Sequence, residues 1–115
     1  MSFLSALFGS KNTTDTGNIV ILDKNAYATA ISGPKVQLVD VRTPSEYNGG
    51  HIKKALNIDF FNASNFRTAF EKLDKNKPVY VYCRSGARSQ KAAKKLVAMG
   101  FNEIYDLRGG YNSWN

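Results

Sequence analysis

From residue 18 onward, short apolar runs alternate with segments whose apolar residues recur at helical spacing, and this alternation constrains the fold before any single residue is considered. The runs are NIVIL (18–22), VQLVDV (36–41), KKALNI (53–58), KPVYVYC (77–83) and NEIYDL (102–107). VQLVDV shows almost no polar alternation, as expected of a strand covered on both faces. Pro78 opens its strand, the position where a missing N–H is tolerated. Strands separated by helices require right-handed crossovers, so the expectation is an α/β chain: a five-stranded, mostly parallel sheet with helices on both faces.

The intervening segments carry helix signals. Asp23 is placed to cap a helix that runs to about Ile31, where SGP stops it. TPSE (43–46) reads as a capping box, with Thr43 at the N-cap, Pro44 at the first helical position and Glu46 reaching back. Ser64 is placed to cap a third helix, in which Phe66, Ala69, Phe70 and Leu73 form one inward stripe. A fourth helix is expected over residues 89–99, with Ala92, Ala93, Leu96 and Val97 inward and Gly100 ending it. RGG (108–110) reads as a turn and YNSW (111–114) as a terminal helical turn.

The chain has 115 residues, enough for one core, and 43% hydrophobic with 22% charged residues is ordinary globular composition. Residues 1–17 read as an N-terminal appendage, a tail or a short helix in MSFLSALF, followed by one domain over residues 18–115. MSFLSALFG lacks a basic leader region, and no apolar run approaches a membrane span, so a cytoplasmic protein is expected. One cysteine excludes an internal disulfide framework and a multi-cysteine metal site; no metal or cofactor is expected. The net charge of +7 is concentrated: Arg84, Arg88, Lys91, Lys94 and Lys95 fall within twelve residues free of acids. That cluster favours a small anionic ligand near Cys83, although the three lysines taken alone read better as a solvated helix face. No aromatic interleaving or motif supports nucleic-acid binding.

In parallel α/β sheets, ligands bind where strands run into loops at their carboxyl ends. Cys83 stands at such an end and opens the loop CRSGARS (83–89). Ser85, Gly86 and Ala87 let the backbone curl so that its N–H groups converge above the sulfur. The following helix adds the positive end of its dipole, and Arg84 and Arg88 add charge; together they favour a thiolate and hold an oxyanion beside it. A buried filler cysteine needs none of these features. Asp40, ending the second strand at the same edge, is expected to tie down backbone N–H groups or Arg42, with orientation of the loop or the substrate the alternative.

LVDVRTPSEYNGGHIKKALNI, VYVYCRSGARSQKAAKKLVAMGF and IYDLRGGYNSW, in this order, resemble the front signature, active-site loop and closing segment of single-domain rhodaneses, the thiosulfate sulfurtransferases. The resemblance spans roughly residues 18–115 and implies the three-layer rhodanese-like fold. It implies a sulfurtransferase in which Cys83 takes a sulfane sulfur from thiosulfate or a persulfide donor and passes it to cyanide, an external thiol or a protein. Arg84, Ser85, Gly86, Ala87 and Arg88 would then bind substrate, with Arg88 the anion clamp and Arg84 turned outward to steer donors or partners. Arg42 and Glu46 read as an ion pair near the capping box. His51, the only histidine, resembles a family turn residue that holds loops together rather than a base. Arg108, as a hydrogen-bonding brace, and the two following glycines are expected to bend the chain beneath the active-site edge; Tyr111 and Trp114 to close the core; Phe60 and Phe61 to form an apolar pocket wall.

Two other functions stay open at this point. Related phosphatases and arsenate reductases use a longer loop between cysteine and arginine than the four residues present here, and a non-catalytic partner-binding module often lacks the cysteine. No second cysteine is present to resolve an oxidised Cys83 within the chain, so any acceptor is external.

Overall fold

The computed structural model describes residues 18–114; the expectations for MSFLSALF and the rest of residues 1–17 lie outside them. Five strands, β1 (Ile19–Leu22), β2 (Gln37–Asp40), β3 (Leu56–Asn57), β4 (Val79–Tyr82) and β5 (Ile104–Leu107), alternate with five helices. These are α1 (Lys24–Ala30), α2 (Pro44–Asn48), α3 (Ala63–Phe70), α4 (Ala87–Ala98) and α5 (Gly110–Trp114). All strand pairs are parallel and the order is β1-β5-β4-β2-β3.

Strand alternation divides the core into two layers. On one face Val39, Val79, Val81 and Ile104 meet Phe66 and Phe70 of α3 and Ala92, Ala93 and Leu96 of α4. On the other, Leu38, Tyr82 and Leu107 meet Tyr27 of α1, with Tyr47, Tyr111 and Trp114 closing the edge. Ala92 and Ala93 let α4 approach the sheet closely, because a small side chain facing a branched one fills the space without a void. The Tyr27 hydroxyl, buried in the apolar layer, donates to the Val81 carbonyl at 2.9 Å, which offsets its desolvation.

Several ends differ from the sequence reading. Asn62, not Ser64, caps α3: its Oδ1 accepts the Asn65 N–H at 3.2 Å. An Asx side chain outcompetes the serine two residues on, because that serine already lies inside the helix, and Leu73 packs on the core from beyond the helix end. The third strand spans only Leu56–Asn57, with Lys54 just before it at φ 76° breaking the extended run. Helix α4 starts at Ala87, two residues before the expected start. Asp23 and the Thr43–Glu46 capping box are as expected.

Candidate active site

Moving outward from β2 and β4, the chain continues toward β3 on one side and β5 on the other, so the sheet order reverses between them. This crevice at the carboxyl ends is where an open α/β sheet holds its ligand. The structure places Asp40, Val41, Tyr82 and Cys83 there, with Val41 N–H bonded to the Tyr82 carbonyl at 2.9 Å.

Cys83 is 1% exposed, on the α4 side of the sheet. Its Sγ accepts the Gly86 N–H at 3.0 Å. Gly86 is the N-cap of α4 with φ 111°, a conformation a side chain resists, and no side chain caps the helix. The first-turn amides of this twelve-residue helix have no acceptor within the helix, so an anion beside the sulfur is their natural partner.

The loop is held from beneath by α5. Tyr111 N–H donates to the Cys83 carbonyl at 2.8 Å and Asn112 N–H to the Arg84 carbonyl at 3.0 Å. These bonds hold the Cys83 and Arg84 carbonyls toward α5. Gly110 makes the approach possible: at φ 62°, an added Cβ would stand 2.5 Å from the Cys83 carbonyl oxygen. Arg108 contributes through its backbone, whose N–H donates to Leu22, while its side chain is exposed.

The ion pairs correct the sequence reading. Arg42 does not pair with Glu46. Its Nη2 lies 2.6 Å from Asp40 Oδ2, and its guanidinium stands 4.4 Å over the Tyr111 ring. Both partners are buried, and the same Nη2 donates to the Gly50 carbonyl at 2.6 Å, so this pair clamps the β2 exit to the following turn. Asp40 Oδ1 also accepts the Arg42 N–H at 2.9 Å.

Glu46 instead meets Arg88 in a two-pronged pair at 2.7 and 2.9 Å. Its Oε1 simultaneously accepts Thr43 N–H at 3.0 Å. The Arg88 bonds first, then those from Thr43, hold the Glu46 carboxyl down at about 2 despite partial burial. Capping box and arginine thus share one carboxylate, a double role the sequence spacing did not reveal.

Of the remaining loop residues, Arg84, Ser85 and Ala87 are exposed and Gly86 is buried. Phe61, 64% exposed, lies under the Arg88 guanidinium at 5.3 Å, and Phe60 packs on the core. His51 is exposed, stacked on Tyr47 at 3.7 Å with Nδ1 2.9 Å from the Tyr47 carbonyl, within its own turn. It braces that turn and stands apart from the Cys83 loop contacts. Four surface concavities of about 150 to 320 Å³ are lined by residues other than the Cys83 loop. Sequence reasoning also passed over Asp106 and Ser89, both buried polar residues on the α4 side of the sheet. The available signal was an acid set inside the apolar strand EIYDL.

Comparison with known proteins gives the same architecture. Over 94 residues the chain is 34% identical to the thiosulfate sulfurtransferase GlpE of Shewanella oneidensis, covering 82% of this chain and 90% of that protein. Over 80 residues it is 44% identical to an uncharacterised Bacillus subtilis protein, YqhL, covering 70% of this chain and 61% of that one. The crystal structure of a rhodanese-related protein from Thermoplasma volcanium superposes with a TM-score of 0.69 at 31% identity, covering 81% of this chain and 87% of that one. A rhodanese-like domain protein from Staphylococcus aureus gives 0.71 at 27% identity, covering 83% and 90%. With the Rhodanese-like domain matched over residues 23–115, on a parallel sheet whose switch-point loop opens with Cys83, the chain belongs to the rhodanese-like domain family.

Proposed function

We propose that this protein is a sulfurtransferase that moves a sulfane sulfur from thiosulfate or a persulfide donor to a thiophilic acceptor through a persulfide on Cys83. The observation that carries the reading is the Gly86 N–H on Cys83 Sγ at 3.0 Å, at the mouth of a helix without a side-chain cap. The thiosulfate sulfurtransferases among its relatives support it.

In the first half-reaction the Cys83 thiolate attacks the outer sulfur of thiosulfate. The S–S bond of the donor breaks, and its electron pair leaves with sulfite. The amides of the Cys83 loop and the first turn of α4 hold the sulfonate and then the persulfide anion, donors already in place before charge develops. In the second, cyanide or a thiol attacks the terminal sulfur, and Cys83 departs as thiolate. Arg88, held by Glu46 and within electrostatic reach of Cys83, serves as the anion clamp when a donor competes for its guanidinium; Arg84, exposed on the rim, steers charged donors or a protein acceptor. The four-residue interval from Cys83 to Arg88 favours this ring over the wider one of the related phosphatases.

Intact-mass measurement after thiosulfate treatment tests the proposal: the wild-type chain gains one sulfur atom and Cys83→Ser gains none. Hydrolysis of an aryl phosphate without sulfur uptake would overturn it. Arg88→Ala is expected to lower kcat/KM for thiosulfate by about 2 to 4 kcal/mol, as loss of an oxyanion donor does.

A further inference from the structure

Asp106 lies in the middle of β5, 1% exposed, and its Oδ1 has no hydrogen-bond partner among the described residues. A buried, half-satisfied carboxyl is costly and calls for an explanation. Its location supplies one. Asp106 is the register partner of Val81, so its side chain emerges on the same face as Val81 and Cys83, under α4. Strand spacing and rise put its Cα about 8 Å from that of Cys83.

From above, the same space is entered by Ser89, fully buried in the first turn of α4. The Ser89 hydroxyl donates to the Gly86 carbonyl at 3.2 Å, and it is also in reach of the Asp106 carboxyl. Gly86 is the residue whose N–H reaches Cys83 Sγ. A single hydroxyl proton is therefore shared between the Gly86 carbonyl, which also accepts the Gln90 N–H at 3.1 Å, and the carboxyl beneath it.

We propose that Asp106 is a positioning residue that couples anion binding at the Cys83 cradle to protonation: ionised, it draws the Ser89 hydroxyl from Gly86 and sets a buried negative charge against the incoming anion. Protonated, it leaves the cradle anchored and uncontested. Burial, opposed by Ser89 and the Leu107 N–H, raises the Asp106 carboxyl to about 6, so the change falls in a physiological range. Among the described residues no cation forms an ion pair with it; Lys94 of α4 lies with Gln90 at the surface beside Ile21, its β1 neighbour. β4 brings Cys83 and β1 brings Ile21; Tyr27 of α1, whose phenol is pushed up mainly by burial and then by Asp106, is neutral. Arg88, on the same turn as Ser89, is bound to Glu46.

For thiosulfate as the anion, the inference rests on the sulfurtransferase reading; the experiment is chosen to separate the two. Cys83 is the only cysteine, so alkylation reports on it alone. The ratio of its rates with iodoacetate, an anion, and iodoacetamide, its neutral analogue, cancels the thiolate fraction and isolates the effect of charge. Between pH 5 and 7.5 the ratio is expected to fall about three- to tenfold in the wild type. It should stay level in Asp106→Asn and fall again in Asp106→Glu, which restores the charge. The KM for thiosulfate should rise over the same interval in the wild type only. An Asp106→Asn variant that keeps the wild-type fall in the ratio overturns the inference, whereas failure of thiosulfate to load Cys83 strikes the sulfurtransferase reading and leaves the alkylation result to decide the role of Asp106.

Discussion

Two carboxylates at this edge titrate in opposite senses, and each has a stability consequence. The folded-state pKa of Glu46 is depressed to about 2 by Arg88 and Thr43, so its contribution is present above its unfolded value of 4.5 and is lost as pH falls toward 2. Because the pair is partly exposed, the contribution is about 1 to 2 kcal/mol. Glu46→Gln should therefore unfold more readily in urea at pH 7 and differ little from wild type at pH 2. Asp106 runs the other way. Its folded value is raised from 3.8 to about 6, so stability is full below 3.8 and declines as pH rises through 6. Asp106→Asn should remove that decline and gain on the order of 1 to 3 kcal/mol at pH 7, read from urea midpoints across pH. An equal decline in both proteins would mean that this carboxyl ionises in the fold as freely as in the unfolded chain.

The elements owe their positions to a few terminal residues. Asn62 caps α3 and Ser64 does not, although both are small polar residues preceding the same inward stripe of Phe66 and Phe70. Asn62→Ala should cost about 1 kcal/mol in thermal or urea unfolding, and Ser64→Ala less than about 0.5. At the other end of the chain, α5 supports the Cys83 loop through two backbone bonds that exist only because Gly110 has no side chain. Gly110→Ala drives a Cβ into two carbonyls, at 2.5 Å for Cys83 and 2.6 Å for Arg84, with φ at 62°. A loss of roughly 3 kcal/mol or more is expected, together with loss of sulfur loading in whatever fraction remains folded. Full activity with normal stability would separate α5 from the loop.

At the scale of the whole molecule, charge and topology act together. The net charge of +7 surrounds a site on the sheet's carboxyl edge, with Arg84 exposed beside it and the basic stretch of α4 continuing from it. Such a field raises the local concentration of a dianion, and salt screens it over about 8 Å at physiological ionic strength. The kcat/KM for thiosulfate should fall several-fold between about 0.02 and 0.5 M salt, with little change in kcat. A flat salt response would assign donor capture to the local amides alone. Among the described residues, no helix is long and apolar enough to cross a membrane.

What the amino-acid sequence determined by itself was whatever depends on neighbours along the chain. Apolar runs set the five strands, the Asp23 cap and Thr43–Glu46 box set two helix starts, and a glycine-containing loop after an apolar run marked Cys83. Asp40 and Arg42, two residues apart, pair as their spacing suggested, but tertiary structure alone decided the long-range partners of the polar and charged side chains. Glu46 reached Arg88 forty-two positions away instead of Arg42, and Asp106 came to lie under Ser89. The reason is that a cap or a strand is satisfied by groups within a few residues, whereas an ion pair forms between whichever charges the sheet order brings to one edge, and linear spacing carries no record of that order.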